Sequence, residues 1–434
     1  MNDGVNKSVP RFANVSAVFA AWSNPAARIL NVDLLAIFIA ILLPWSTSGV
    51  LIFVALWIFA LIPTLDMDGF LRSLRRPISV LPVALFALAC LGTLWSNAPW
   101  GARLHAIGPT TKLLVLPLLL YHFERSGRGV CVFLAFLISG ALLMLASWLV
   151  AIEPTLTLKP YIEAGTVVKN HIDQSYVFAL CAVALAYPIS ILFQMKKLLP
   201  AGLLAPVALG FIANMAFVNV SRTALITIPV MIGIFLLRQF EWRSIVGAIC
   251  ALAVLGALSW FTSPLLKSKM ASFFPPYRLY ETANEPTSIE LRFEFWRKSI
   301  GFFADAPLVG HGTGSTRRLF EQAAIGRIDA AAEVTGNPHN QTLNVAVQWG
   351  IVGVVVLYAM WLFHLVLFRG EGWANWLGSL VVVQNFVSSL FNSHLFDFQE
   401  GWIYVLGVGV AGGMALRASS RLVIPRWSGL APRP

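Results

Sequence analysis

The chain has 434 residues, 58% of them hydrophobic and 12% charged. A soluble domain carries roughly 25% charged residues, so the composition excludes a soluble globular protein and points to an all-α integral membrane protein. The net charge of +11 would suggest a nucleic-acid binder in a soluble protein, but membrane topology accounts for much of it, and no nucleic-acid partner is expected.

Met1 to Ala27 is mixed and polar and carries no cleavable-signal pattern. A membrane helix needs about 20 apolar residues. Twelve candidate spans follow, near 30–46, 49–64, 78–95, 105–123, 129–151, 172–194, 198–219, 221–237, 244–263, 342–368, 373–394 and 401–417. The span near 105–123 is the weakest, because its first half holds His105, Thr110, Thr111 and Lys112. Between the ninth and tenth spans lies the one long polar run, residues 264–341. The expected organisation is one polytopic membrane domain over 1–434, with 264–341 as a large, partly helical loop within it. The tail from Leu422 to Pro434 is short, basic and Pro-rich, and is expected to be poorly ordered. Cys90, Cys131, Cys181 and Cys250 all fall in apolar runs. They read as small core hydrophobes rather than a disulfide framework.

Twelve spans put both termini on one side. The connections and tails of that side carry 17 Lys and Arg, among them Arg72, Arg75, Arg76, Arg125, Arg128, Arg238 and Arg369. The short connections of the other side carry only Arg103, Lys112, Lys159, Lys169 and Arg222. Positive residues stay cytoplasmic, so both termini are expected in the cytoplasm and the long loop outside. The acid pair Asp66-Met67-Asp68 then falls on the cytoplasmic side and reads as a loop feature.

The chemistry-bearing residues sit at outer span ends. His339, in Asn337-Pro338-His339-Asn340, lies where the polar run returns to the membrane. A neutral imidazole is the commonest general base near pH 7; the plainer alternative is a turn and a helix cap by Asn337 or Asn340. Arg222, in Asn219-Val220-Ser221-Arg222-Thr223, is either a phosphate ligand or a side chain snorkelling to headgroups. On a helix over 289–303, Ile289, Phe293, Trp296, Ile300 and Phe303 form one stripe, with Leu291, Phe295 and Phe302 beside it. Arg292 falls between the stripes and needs an anion, a structural carboxylate or a diphosphate. Glu290, Glu294, Arg297 and Lys298 form the opposite, solvated face, with Glu294 and Lys298 at ion-pair spacing.

Gly310-His311-Gly312-Thr313-Gly314-Ser315 has no upstream strand and no Lys at nucleotide-loop spacing, and reads as a turn. Lys169, His171 and Asp173 cluster at one outer span start, and His394, Asp397 and Glu400 in the last outer loop; either group lines a site or sits at the interface. No HExxH pattern and no Cys/His metal cluster occurs, so no metal and no cofactor is expected. Polar residues concentrate at outer ends rather than along spans, which disfavours a transporter or flippase.

Taken together, Ser221-Arg222-Thr223, Arg292 with Trp296, Pro307-Leu308-Val309-Gly310-His311-Gly312, and His339-Asn340 followed by Gly350 and Gly353 resemble the O-antigen ligase and polymerase superfamily. The architecture looks most like the ligase. The resemblance implies an inverting, metal-independent transferase of the bacterial inner membrane. Such an enzyme moves a glycan from undecaprenyl diphosphate to a sugar hydroxyl of lipid A–core at the periplasmic face. It implies His339 as the base and Arg222 and Arg292 as ligands of the donor diphosphate. Lys169, His171, Asn340, His394 and Asp397 are candidate helpers. The alternatives are an O-antigen polymerase or a protein O-oligosaccharyltransferase with the same lipid-linked donor.

Overall fold

The computed structural model describes residues 24–157, 163–271 and 288–423. The start of the chain, Lys159, residues 272–287 of the polar run and the tail beyond 423 lie outside the described residues. The described residues contain helices and no strand. In chain order the helices are α1 Pro25–Leu42, α2 Thr47–Leu61, α3 Met67–Leu74, α4 Pro77–Leu91, α5 Trp100–Ile107, α6 Val115–Arg125, α7 Gly129–Ile152, α8 His171–Ala184, α9 Ala186–Gln194, α10 Leu198–Phe217, α11 Arg222–Gln239 and α12 Trp242–Thr262. They continue with α13 Pro264–Ala271, α14 Ser288–Asp305, α15 Thr316–Ala324, α16 Gln341–Leu367, α17 Trp373–Ser388 and α18 Phe398–Val423.

The twelve expected stretches lie mostly on helix, but residues 92–95 and 389–394 are not helical, and the helices near 244–263 and 373–394 are not among those long and apolar enough to cross a membrane. Nine helical stretches among the described residues are long and apolar enough to cross a membrane, or ten if α3 and α4, bent by 80°, count as one span. The weak span near 105–123 is built from α5, a 3-10 segment Gly108–Leu114 and α6. Its polar first half is accommodated because Lys112 turns inward and donates to Phe396 O at 3.0 Å and to Asp397 O.

The surface is that of a protein in lipid. Large apolar side chains such as Phe38, Phe59, Leu145, Leu203 and Leu237 are exposed, whereas Asp33, His122, Asn214, His364, Gln384, Asn385 and Glu400 are buried. With no water in the hydrocarbon core, polar groups must find partners inside the bundle. Asn214 and Gln174 each bond to Ser147 at 3.0–3.3 Å, and Ser147 and Gln174 donate to Gly165 O at 2.6 and 2.9 Å. His364 bridges Tyr404 at 2.6 Å and Ile78 O at 2.9 Å. Polar residues therefore do occur along spans, contrary to the expectation above, and these sets hold helices together. Of the cysteines, only Cys181 is in the core; Cys131 and Cys250 are exposed, on helix faces turned outward.

The most enclosed helix is α18. A Cβ at Gly409 would approach Leu119 Cβ to 2.5 Å, and one at Gly413 would approach Phe123 Cβ to 2.6 Å. Small residues let α18 and α6 close on each other, as helices in lipid commonly do. The Asp66 pair lies at the opposite end of the bundle from His339. Asp66 caps α3 through Gly69 N at 3.1 Å and accepts from Arg125 at 3.2 Å, and Asp68 lies in the first turn of α3, so the pair opens a helix rather than sitting in a loop.

Helix α16 is broken at Gly350, which has φ +60 and ψ −156. There the helix trades bonds with the polar run. His311 N and Gly312 N donate to Val347 O and Gln348 O at 2.9 and 2.8 Å, and Ile351 N and Val352 N donate to Pro307 O and Leu308 O at 2.8 and 3.3 Å. A Cβ at Gly350 would sit against the Leu308 carbonyl. A left-handed residue carrying a Cβ costs of order 1–3 kcal/mol, and the clash adds to it. Gly350→Ala is therefore expected to lower the melting temperature of the detergent-solubilised protein by several degrees. An unchanged melt would show that the break is not needed.

Candidate functional site

The polar run returns to the bundle through residues 335–341. Asn340 caps α16, accepting from Leu343 N at 3.1 Å, and its amide donates to Leu390 O at 3.0 Å. His339, just before it, has φ +54. A non-glycine residue there persists only when its surroundings over-determine it. Asn337 does this: its Oδ1 accepts from His339 N at 2.9 Å and from Ser393 Oγ at 2.7 Å. The capping role and the poised imidazole are thus filled by adjacent residues.

Sequence reasoning missed Asn392. Its Nδ2 donates to Asp397 Oδ2 at 2.8 Å, and its Oδ1 lies 2.9 Å from His339 Nδ1. Because a carboxylate accepts only, the amide orientation is fixed, and Oδ1 must accept from the ring. The proton of the neutral imidazole is thereby placed on Nδ1, and Nε2 keeps its lone pair. Burial first, and then the charge of Arg292, hold the His339 pKa below its usual range, while the bond to Asn392 opposes the shift. The ring is a neutral acceptor at pH 7, stacked on Phe295 with centroids 6.1 Å apart. The only cue in the sequence was Phe391-Asn392-Ser393-His394, polar residues at a span end, which name no partner.

Arg292 is half-buried on α14. Burial, and then the positive charge of Arg222, depress its pKa, and no acid acts on it among the described residues. Arg222 is the first residue of α11, held by Ser221, whose Oγ accepts from Ala224 N at 3.1 Å and whose N–H donates to Ser175 at 3.0 Å. A guanidinium cannot escape by losing its proton. Two such groups lie within electrostatic reach of each other, beside a neutral histidine, and guanidiniums are suited to binding an anion.

The α14 helix sits differently from the sequence reading. Phe295, Lys298 and Ser299 face inward, whereas Phe293 and Ile300 are 64% and 58% exposed. Lys298 is not on a solvated face: its ammonium donates to Ala331 O at 2.6 Å and lies 3.9 Å from Glu294. Glu294 pairs more closely with the exposed Arg297, at 2.6 Å. The inward turn of Phe295 places it on His339 and brings Arg292 into the site.

The candidate helpers are dispersed around this centre. Lys169 donates to Leu43 O at 2.8 Å and to Gln399, bonds that tie segments together. His171 faces Glu163 at 3.2 Å, which also lies 3.8 Å from Lys269. His394 is buried against the Tyr176 ring, and burial drives its pKa down to about 3, so it stays neutral. Burial raises the Asp397 pKa to about 6 against the opposing charge of Lys112. Asp397 lines a polar cleft of about 310 Å³ with Asn170, Asp173, Asn392, Gln399 and Glu400. Among the described residues no three His, Cys, Asp or Glu side chains are grouped as metal ligands. The backbone N–H groups of residues 310–314 all donate within the protein, at 2.8–3.1 Å. This loop is a structural turn with no donor left for a phosphate.

Residues 207–358 match the family model described as O-antigen ligase. That stretch, about a third of the chain, is similar to the O-antigen ligase family. The matched stretch contains Arg222, Arg292 and His339 and ends before Asn392 and Asp397. An uncharacterized protein of Haemophilus influenzae is 25% identical over 265 residues, covering 57% of this chain and 62% of that relative. The chain thus spans less than two thirds of the relative's length. The described architecture is that of an all-α, multi-pass membrane protein.

Proposed function

We propose that this protein is a glycosyltransferase that moves a glycan from undecaprenyl diphosphate to a sugar hydroxyl of lipid A–core at the periplasmic face of the inner membrane. In this reading both termini are cytoplasmic and residues 264–341 are periplasmic. The observation that carries it is the apposition of a neutral, tautomer-fixed His339 with the Arg292 guanidinium, with Arg222 within electrostatic reach of Arg292. His339 Nε2 accepts the proton of the acceptor hydroxyl as that oxygen attacks the anomeric carbon. The bond to the diphosphate breaks, and the two guanidiniums take up the charge of the leaving diphosphate. Donors aimed at developing charge in a dry site are the main source of such catalysis. Attack in one step, opposite the leaving group, inverts the anomeric centre, and the arginines do what a metal would otherwise do.

The test is transfer by the purified protein, given lipid-linked glycan and lipid A–core with and without a chelator. Product on lipid A–core that survives chelation supports the reading. Lengthening of the lipid-linked glycan instead would make the protein a polymerase, and loss of activity on chelation would discard the arginine clamp.

Asn392 acts through His339 and is a positioning residue. Asn392→Leu is expected to lower the transfer rate tenfold or more, a share of the roughly 10²–10⁴ that a placed general base supplies, with little change in KM for the donor. Asn392→Asp puts a negative charge beside the ring, favours imidazolium, and should move the acid limb of the pH–rate profile to higher pH. A limb that stays in place would reduce Asn392 to a packing role.

A further inference from the structure

We propose that the cleft between α15 and the turn that follows α4 is a saccharide-binding site, holding the oligosaccharide of one substrate at a distance from the reacting centre. The cleft has a volume of about 400 Å³, within the roughly 300–1,000 Å³ of small-ligand sites. Its walls include Trp95, Asn97, His311, Ser315, Arg318 and Gln322.

The walls are pinned to each other. Arg318 donates to Asn97 O, Trp95 Nε1 donates to Val309 O at 3.2 Å, and Thr313 N donates to Gly92 O at 2.9 Å. The cleft is therefore formed before any ligand arrives, which lowers the ordering cost of binding. His311 Nε2 lies 2.7 Å from Phe302 O and so must donate to it, which leaves Nδ1 as an acceptor.

The chemistry of the walls selects the ligand class. One indole offers an apolar face with its N–H already bonded. Two amides, a hydroxyl, an imidazole acceptor and a guanidinium surround it. That is a mixture of donors and acceptors with little net charge, suited to vicinal hydroxyls on a ring with apolar C–H faces. Acyl chains would leave these polar groups unmet, and a diphosphate would call for more than one cation. Trp100 is a different case: it is 62% exposed, with the Arg103 guanidinium 4.6 Å over its ring, as in an interfacial aromatic belt. Trp95 belongs to the cleft.

The far face of α15 connects the cleft to the chemistry. Phe320 is buried against Phe295, with centroids 5.6 Å apart, and Phe295 stacks on His339. The cleft and the imidazole thus lie on opposite sides of α15, with ring steps of 5.6 and 6.1 Å leading from Phe320 to His339, a separation on the scale of an oligosaccharide rather than of a single sugar. The role of the bound sugar rests on the glycosyltransferase reading; binding itself does not.

The test is saturation-transfer NMR on the full chain in nanodiscs, with two soluble probes: the core oligosaccharide of a rough lipopolysaccharide and the oligosaccharide of an O-antigen repeat. The variants are Trp95→Ala and the cleft-filling Gln322→Trp, each checked by its melt. Binding of either probe that weakens at least tenfold in both variants and persists in His339→Ala supports the proposal, and the probe that binds identifies the acceptor or the donor glycan. Binding unchanged in folded Gln322→Trp overturns it, as does a wild type that transfers glycan yet binds neither probe. A protein that binds through the cleft but transfers nothing would keep the site and remove the proposed activity.

Discussion

His339→Ala is expected to lower glycan transfer by about 10²–10⁴-fold, the contribution of a positioned general base, while the protein still inserts and folds. The stability change should be small. Alanine at φ +54 is strained as histidine is, and the bond lost to Asn392 is worth about 1 kcal/mol. Transfer assays beside a thermal melt read both quantities. A folded variant that transfers normally would remove His339 from the mechanism. The pH dependence has a definite sign. The base must be unprotonated, and burial together with Arg292 lowers its pKa. Activity in the wild type should therefore persist below the ordinary imidazole range and fall only as pH drops through the lowered pKa.

Arg292→Ala and Arg222→Ala are each expected to cost about 10²–10³-fold in kcat/KM for the lipid-linked donor, the usual effect of deleting one donor aimed at transition-state charge. Conservative replacements separate charge from geometry. Arg292→Lys keeps the positive charge near His339 but loses the planar fork, so transfer should stay poor while the acid limb of the pH profile holds its place. Arg292→Gln removes the charge, and the limb should move up. Normal donor turnover by either alanine variant would overturn the diphosphate clamp. Because the two guanidiniums act on one leaving group, the double variant should lose less than the product of the single losses.

The bundle was legible in the sequence because hydropathy over span length is a strong signal. Nine or ten helical stretches among the described residues are long and apolar enough to span, the broken one near 105–123 among them. The neighbourhood of His339 was legible in part, because imidazole and guanidinium at span ends are few and costly. The support for His339 was not legible. Asn392 is 53 residues further along the chain, and an asparagine at a helix end looks like any cap. The rotation of α14 was hidden for a related reason. Its two apolar stripes lie side by side, and only docking onto His339 through Phe295 chooses the inner one. Lys298 was misplaced because a lysine on the polar side of a helix carries no mark of the carbonyl, Ala331 O, that draws it inward.

The broken helix at Gly350 has a consequence for folding. In an unbroken helix the amides of Ile351 and Val352 would bond within the span; here they bond to Pro307 and Leu308, and the span's carbonyls at 347 and 348 serve the loop. Neither partner can complete its hydrogen bonding while the other is absent. Opening the junction costs both at once, so extramembrane turn and transmembrane segment form a single cooperative unit. At this point the polar run has no independent folding, and a fragment cut free of the membrane portion would carry the sequence of the turn without the half of its bonds that the span supplies.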